Sequence, residues 1–239
     1  MVAALLGELA DLVLPGACAG CGAERVRLTY GTCTDCVAAL EALRPHFTAP
    51  TPSPAGFPAC VTVGPYAGPL RGALLAYKEK KRHRLARPLG ILLAGAVAAV
   101  APRDRPVVLV PVPSTAAARR ERHGDHMARL TGYAERRLRS AGYTVTTVQP
   151  LRALPRPDST SLDAAGRLIS AVNSLRISPR IGVLRRGGRM RGTLVVTDDI
   201  VTTGATLAAV VRRLEEADMQ VTGAAVLAAT QLRGTSPGN

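Results

Sequence analysis

The chain is 239 residues long, 47% hydrophobic and 3% aromatic, with no Trp and a formal net charge of +14. That length fits one large domain or a core domain with a small module, and its Leu, Val and Ala can fill a real core. The longest uncharged apolar stretch, 88–102, falls short of the roughly 20 residues that span a bilayer, so no membrane insertion is expected. The positive charge is nearly all Arg, with Lys only at Lys78, Lys80 and Lys81. It points to anionic partners: phosphates, nucleic acid or an acidic protein face.

Leu5, Leu6, Leu9, Leu12 and Val13 recur at helical spacing, with Glu8 and Asp11 among them and no basic stretch before them. This predicts a short amphipathic helix rather than a secretory signal, and a cytoplasmic protein. Next come Cys18, Cys21, Cys33 and Cys36, spaced C-x2-C-x11-C-x2-C. Two close thiolate pairs on a short loop suit a tetrahedral Zn²⁺ with four sulfur ligands. With every position filled by Cys there is no open site, so the metal is structural. Two disulfides are the competing reading, and a cytoplasmic chain speaks against them. A redox C-x-x-C is another, and two copies without a thioredoxin-like context speak against it. Cys60 stands outside the set as a buried free thiol. Five prolines fall within 44–58, which reads as a stiff linker or an extended wrap. The expected organisation is therefore 1–58 as helix, zinc module and linker, and 59–239 as the main domain.

In that domain 59–66 alternates like a strand. Two helices joined by the basic hinge 78–84 fill 68–101. A buried strand at 106–114 stops at two prolines, and 115–142 reads as a basic loop followed by a helix. Strands are expected at 143–151, 177–186, 193–198 and 220–230, a polar loop at 152–167, a turn at 187–192 and a helix at 204–218. Strands alternating with helices predict an α/β fold, a mainly parallel sheet flanked by helices. Ligands of such sheets bind beyond the carboxyl ends of the strands.

The stretch LVVTDDIVTTGATL at 194–207 lies at such an end. Asp198 and Asp199 are expected at the strand's edge, with Thr202, Thr203, Gly204, Ala205 and Thr206 turning into a helix. A helix N-terminus offers free N–H groups to a phosphate, the threonines add hydroxyls, and Gly204 lets the backbone approach closely. Carboxylates repel phosphate but accept hydrogen bonds from a sugar diol, so the pattern reads as a cradle for a 5-phosphosugar. No Lys follows the Gly as in a Walker A loop, and no G-x-G-x-x-G occurs.

The stretch VVTDDIVTTGATL closely resembles the motif by which type I phosphoribosyltransferases bind 5-phosphoribosyl 1-pyrophosphate (PRPP). The resemblance implies that Asp198 and Asp199 hold the ribose hydroxyls and residues 202–206 the 5-phosphate, with Mg²⁺ on the pyrophosphate. It also places a pyrophosphate loop at Val112, Pro113 and Ser114 and a mobile catalytic loop within 152–167. The order of the four-Cys module, VPVPS, RRERHGDHMARL, RPDSTSLDAAGR and the PRPP motif resembles the ComF family, which is linked to competence and DNA uptake. The family often has R-x-R-G-F-N-Q where this chain has Arg120-Glu121-Arg122-His123-Gly124-Asp125-His126. Arg120 and Arg122 are expected to contact phosphate, and His123 and His126 to be loop histidines near it. The hinge KEKKRHR reads as a solvated basic face. The implied activity is transfer of a phosphoribosyl group to an unidentified nitrogen acceptor. The alternative is a non-catalytic competence accessory protein that binds PRPP, single-stranded DNA or competence-machinery proteins. The oligomeric state is open, a dimer included.

Overall fold

The computed structural model describes residues 16–155, 164–179 and 192–230. The expected helix over residues 5–13, half of the polar loop (156–163), most of the expected strand 177–186 (180–186) and most of the turn that follows it (187–191) lie outside the described residues. The elements in chain order are α1 (Thr34–Glu41), β1 (His46–Thr48), β2 (Cys60–Pro65), α2 (Gly68–Lys78), a 3-10 turn (His83–Leu85) and α3 (Ala86–Val100). They continue with β3 (Val107–Pro111), α4 (Ala116–Glu121), α5 (His126–Ser140), β4 (Val145–Thr147) and β5 (Leu151–Ala153). The last are α6 (Ala164–Asn173), β6 (Leu175–Ile177), β7 (Thr193–Val201), α7 (Ala205–Glu215) and β8 (Val221–Ala229).

Six strands form one sheet in the order β1-β2-β8-β7-β3-β4, parallel throughout except for β1, which pairs antiparallel with β2. β5 and β6 make a separate antiparallel pair. The central strands β2, β8, β7 and β3 are buried on both faces, as parallel sheets require. Alternate residues of each strand point to opposite sides. Val107, Leu109 and Val195 join α2, α3 and α5 in one core, while Val108, Val110, Leu194 and Val196 join α6 and α7 in the other. The fold is thus α/β with a mostly parallel, helix-flanked sheet and a four-cysteine cluster on its N-terminal side.

Several elements differ from expectation, and α6 begins inside the expected polar loop. The basic loop after β3 contains a helix, α4, because Thr115 Oγ1 accepts from the Ala118 N–H at 3.1 Å and starts it. Asp125 caps α5 in the same way, its Oδ1 accepting from Ala128 N–H at 3.0 Å. The strand expected at 143–151 ends at Thr147, since Pro150 has no N–H to continue a ladder, and the chain resumes as β5 in the second sheet. β6 begins at Leu175, earlier than expected, and its strand pairing ends at Ile177. β7 does not stop before the acids: its pairing with β8 runs on through Ile200↔Ala228 and Val201↔Ala229. Asp198 and Asp199 are therefore inside the strand.

The proline-rich segment is not a free linker. β1 lies within it and closes one edge of the sheet. Beyond β1, Pro50 is buried and Phe57 packs on the α7-side core.

Candidate functional site

Chain order reverses at β3. From there one crossover leads to β4 on one side, and the later return places β7 on the other. That is a topological switch point, where open α/β sheets form a crevice at the carboxyl ends of their strands. The loop after β3 carries Val112, Pro113 and Ser114, and the loop after β7 carries residues 202–206. Both flank this crevice. Val112 N–H donates to the Thr197 carbonyl at 2.9 Å, which ties the first loop to β7.

Strand alternation sends the two aspartates to opposite faces. Asp199 points to the α2/α5 side and is buried. Its Oδ2 receives Lys78 Nζ at 3.0 Å and His126 Nε2 at 2.9 Å. His126 Nδ1 in turn lies 3.3 Å from Ser114 Oγ. A chain of polar contacts therefore runs Ser114–His126–Asp199–Lys78 and links the loop after β3 to strand β7 and the end of α2. Burial pushes the Asp199 carboxyl up, but the His126 hydrogen bond and the Lys78 charge outweigh it and hold the group below the usual range. Asp198 points to the other face, where Oδ1 accepts the Asp199 N–H at 2.9 Å. Burial, then the Asp199 charge, raise its carboxyl to about 8. Cys60 lies on the same face, and burial followed by the Asp198 charge pushes its thiol up to about 12. It is an inert buried thiol.

Residues 202–206 turn directly into α7. Gly204 is the N-cap, with φ 74°. A Cβ there would sit 2.7 Å from the Phe57 ring and 2.9 Å from Pro50. Gly204 is thus required twice: its backbone is left-handed, and the proline-rich segment lies against its α-carbon. The first N–H groups of α7 have no partner within the helix, as at any helix start.

Beyond the carboxyl end of β4 lies a cavity of about 600 Å³, lined by Arg119, Thr147, Val148, Gln149, Leu151, Arg152 and Ser178. Arg119 also donates to the Ser114 carbonyl at 3.3 Å. Thr147 Oγ1 is buried without a hydrogen-bond partner. Arg120 and Arg122 do not line this cavity; Arg119 of the same helix does. His123 and His126 engage different partners, the Glu121 carbonyl for the first and Asp199 for the second. Sequence reasoning missed Lys78, read as part of a solvated face, along with Arg119, Gln149, Arg152 and the buried role of His126. Nothing in the local sequence marks the Lys78–Asp199 pairing, which spans more than half the chain.

The four cysteine sulfurs lie within 4.8 Å of one another. Cys21 Sγ and Cys33 Sγ are 3.8 Å apart, the separation expected when four sulfurs surround Zn²⁺ at about 2.3 Å. Cys33 N–H donates to Cys18 Sγ at 3.2 Å. Burial raises the Cys18 thiol, but amide hydrogen bonds from Cys21, Cys33 and Gly20 outweigh it and hold it down at about 6. The residues fit a metal ion such as zinc, and their separations are too long for disulfides. No protein-family model matches the chain, and no curated protein matches it.

Proposed function

We propose that the chain binds PRPP at the switch-point crevice and is a ComF-type member of the type I phosphoribosyltransferases, with transfer of the phosphoribosyl group to a nitrogen acceptor as its reaction. The supporting observation is the link from Ser114 through His126 to Asp199, which joins the loop after β3 to the strand that ends in the 202–206 loop. Free amides at the start of α7 suit the 5-phosphate. The cavity beside Arg119 and Arg152 lies two strand spacings from β7, about 10 Å, on the far side of β3. It suits the pyrophosphate arm. Asp199, on the strand between the loop after β3 and the 202–206 loop, is the carboxylate that would meet the ribose. In this arrangement Asp199, held by Lys78 and His126, accepts from a ribose hydroxyl. Fixed donors at the two ends hold the phosphate groups apart while C1 gains oxocarbenium character. Mg²⁺ on the pyrophosphate would neutralise the leaving group.

One observation favours a second reading, binding without turnover: Asp198 and Asp199 face opposite sides of the sheet instead of clasping one diol. Calorimetry with PRPP and Mg²⁺, followed by an acceptor screen for pyrophosphate release, tests both. Binding with release establishes the transferase. Binding without release across nitrogen acceptors leaves the accessory role. An absence of heat at millimolar PRPP rejects PRPP as the ligand.

A further inference from the structure

The zinc knuckle and the crevice share one helix. Gly72 of α2 lies directly against the backbone of the knuckle: a Cβ there would collide with the carbonyl oxygen of Gly20 and lie 2.7 Å from that of Ala19. Gly20 sits between Cys18 and Cys21, and its own Cβ would be 2.7 Å from Cys36 Sγ. Just past α2, Arg82 Nη1 donates to the Ala17 carbonyl at 2.6 Å. The same guanidinium covers Gly31, where a Cβ would be 3.2 Å from it. Helix α2 is therefore fastened to the knuckle midway along its length and again just past its C-terminus. Between the fastenings lies Lys78, whose amine meets Asp199 at 3.0 Å. Gly72 and Lys78 are six residues apart, about 9 Å along the helix. We propose that the metal-loaded knuckle is a positioning device for Lys78, and through Lys78 for the Asp199 carboxylate, so that occupancy of the four-cysteine site governs the geometry of the crevice.

The test is a double-mutant cycle on the full zinc-loaded chain, read as the denaturant midpoint. Gly72→Ala pushes the knuckle off α2 while leaving all four thiolates in place, and Asp199→Asn removes the acceptor of Lys78. If the knuckle positions Lys78, Gly72→Ala lowers the midpoint clearly less in the Asp199→Asn background than in wild type, because contacting residues do not act additively. Arg82→Gln, which loosens the other fastening at the surface, serves if Gly72→Ala does not fold. Stripping the metal with a chelator should shrink the effect of Asp199→Asn in the same way and speed hydrogen exchange across 68–78. Additive midpoints in both cycles, or exchange in 68–78 that ignores the metal, overturn the proposal. A ligand arm rests on the PRPP reading: Lys78→Met and Gly72→Ala should each weaken PRPP about fivefold or more, and together no more than Lys78→Met alone. If the wild type fails to bind PRPP, that reading falls while the midpoint cycle still decides the coupling.

Discussion

Asp198 and Asp199 are chemically identical neighbours, and replacing each by Asn should move stability in opposite directions. Asp198 is partly exposed, and burial with the Asp199 charge lifts its carboxyl from 3.8 to about 8. At about 1.4 kcal/mol per tenfold change in proton affinity, full ionisation there would cost the native state at most about 6 kcal/mol. Contact with water lowers that, to an expected effect of about 2 kcal/mol. The group binds its proton more tightly folded than unfolded. Its cost is absent below about pH 4, grows as pH rises and is complete above about pH 8. Asn is uncharged throughout, so Asp198→Asn should match wild type near pH 4 and exceed it by about 2 kcal/mol at pH 8. Asp199 behaves in the opposite sense: its folded value is depressed, so its contribution is present above about pH 4 and fades as pH falls through that depressed value. Breaking a buried ion pair costs about 3–5 kcal/mol. Lys78 is 22% exposed and can turn towards water, so Asp199→Asn should cost about 2 kcal/mol at neutral pH. Guanidinium denaturation followed by circular dichroism, at several pH values, measures both. Shifts of the same sign, or an Asp198→Asn gain that does not grow with pH, would refute this account of the pair.

Purified protein should carry one zinc per chain by elemental analysis, and Cys60→Ser should leave that content unchanged, since Cys60 lies in a different core cluster from Cys18, Cys33 and Cys36. Gly204→Val should abolish binding of phosphate in calorimetry and lower stability by about 2 kcal/mol or more, because the side chain meets Phe57 and Pro50 on a left-handed backbone. Gly90→Ala should destabilise by at least about 1 kcal/mol in chemical denaturation, because a Cβ there collides with Tyr133 where α3 crosses α5. Any affinity for single-stranded DNA should fall by orders of magnitude from low to physiological salt in anisotropy titrations if about six or more phosphates are engaged; tight binding that ignores salt would count against it.

Much of the fold was legible because period and punctuation agree. β3 is an unbroken Val-Val-Leu-Val run, and Gly204 marks the start of α7. The four-cysteine spacing announced a cluster without any help from tertiary structure. Boundaries that depend on a partner were not legible. β7 runs past its aspartates because β8 continues beside it, and β8 lies more than 20 residues downstream. The short α4 depends on a threonine cap inside a basic stretch that reads as loop. The turn into α7 at 202–206 was legible because its signal is local. The convergence of distant residues was hidden, as with Lys78, His126 and Asp199, or Arg119 beside Gln149 and Arg152.

The edge strand has a consequence for how the chain can be divided. β2 is buried over Cys60–Gly64 and relies on β1 to cover its outer backbone groups. Leu43 fills the space above Gly64, where a Cβ would lie 2.9 Å from its Cδ2. A polypeptide begun at residue 59 would present an apolar, unpaired strand ready to recruit another chain. The knuckle and the parallel sheet are therefore expected to melt in a single transition, and recombination cannot exchange one for another without carrying residues 43–57 along with it.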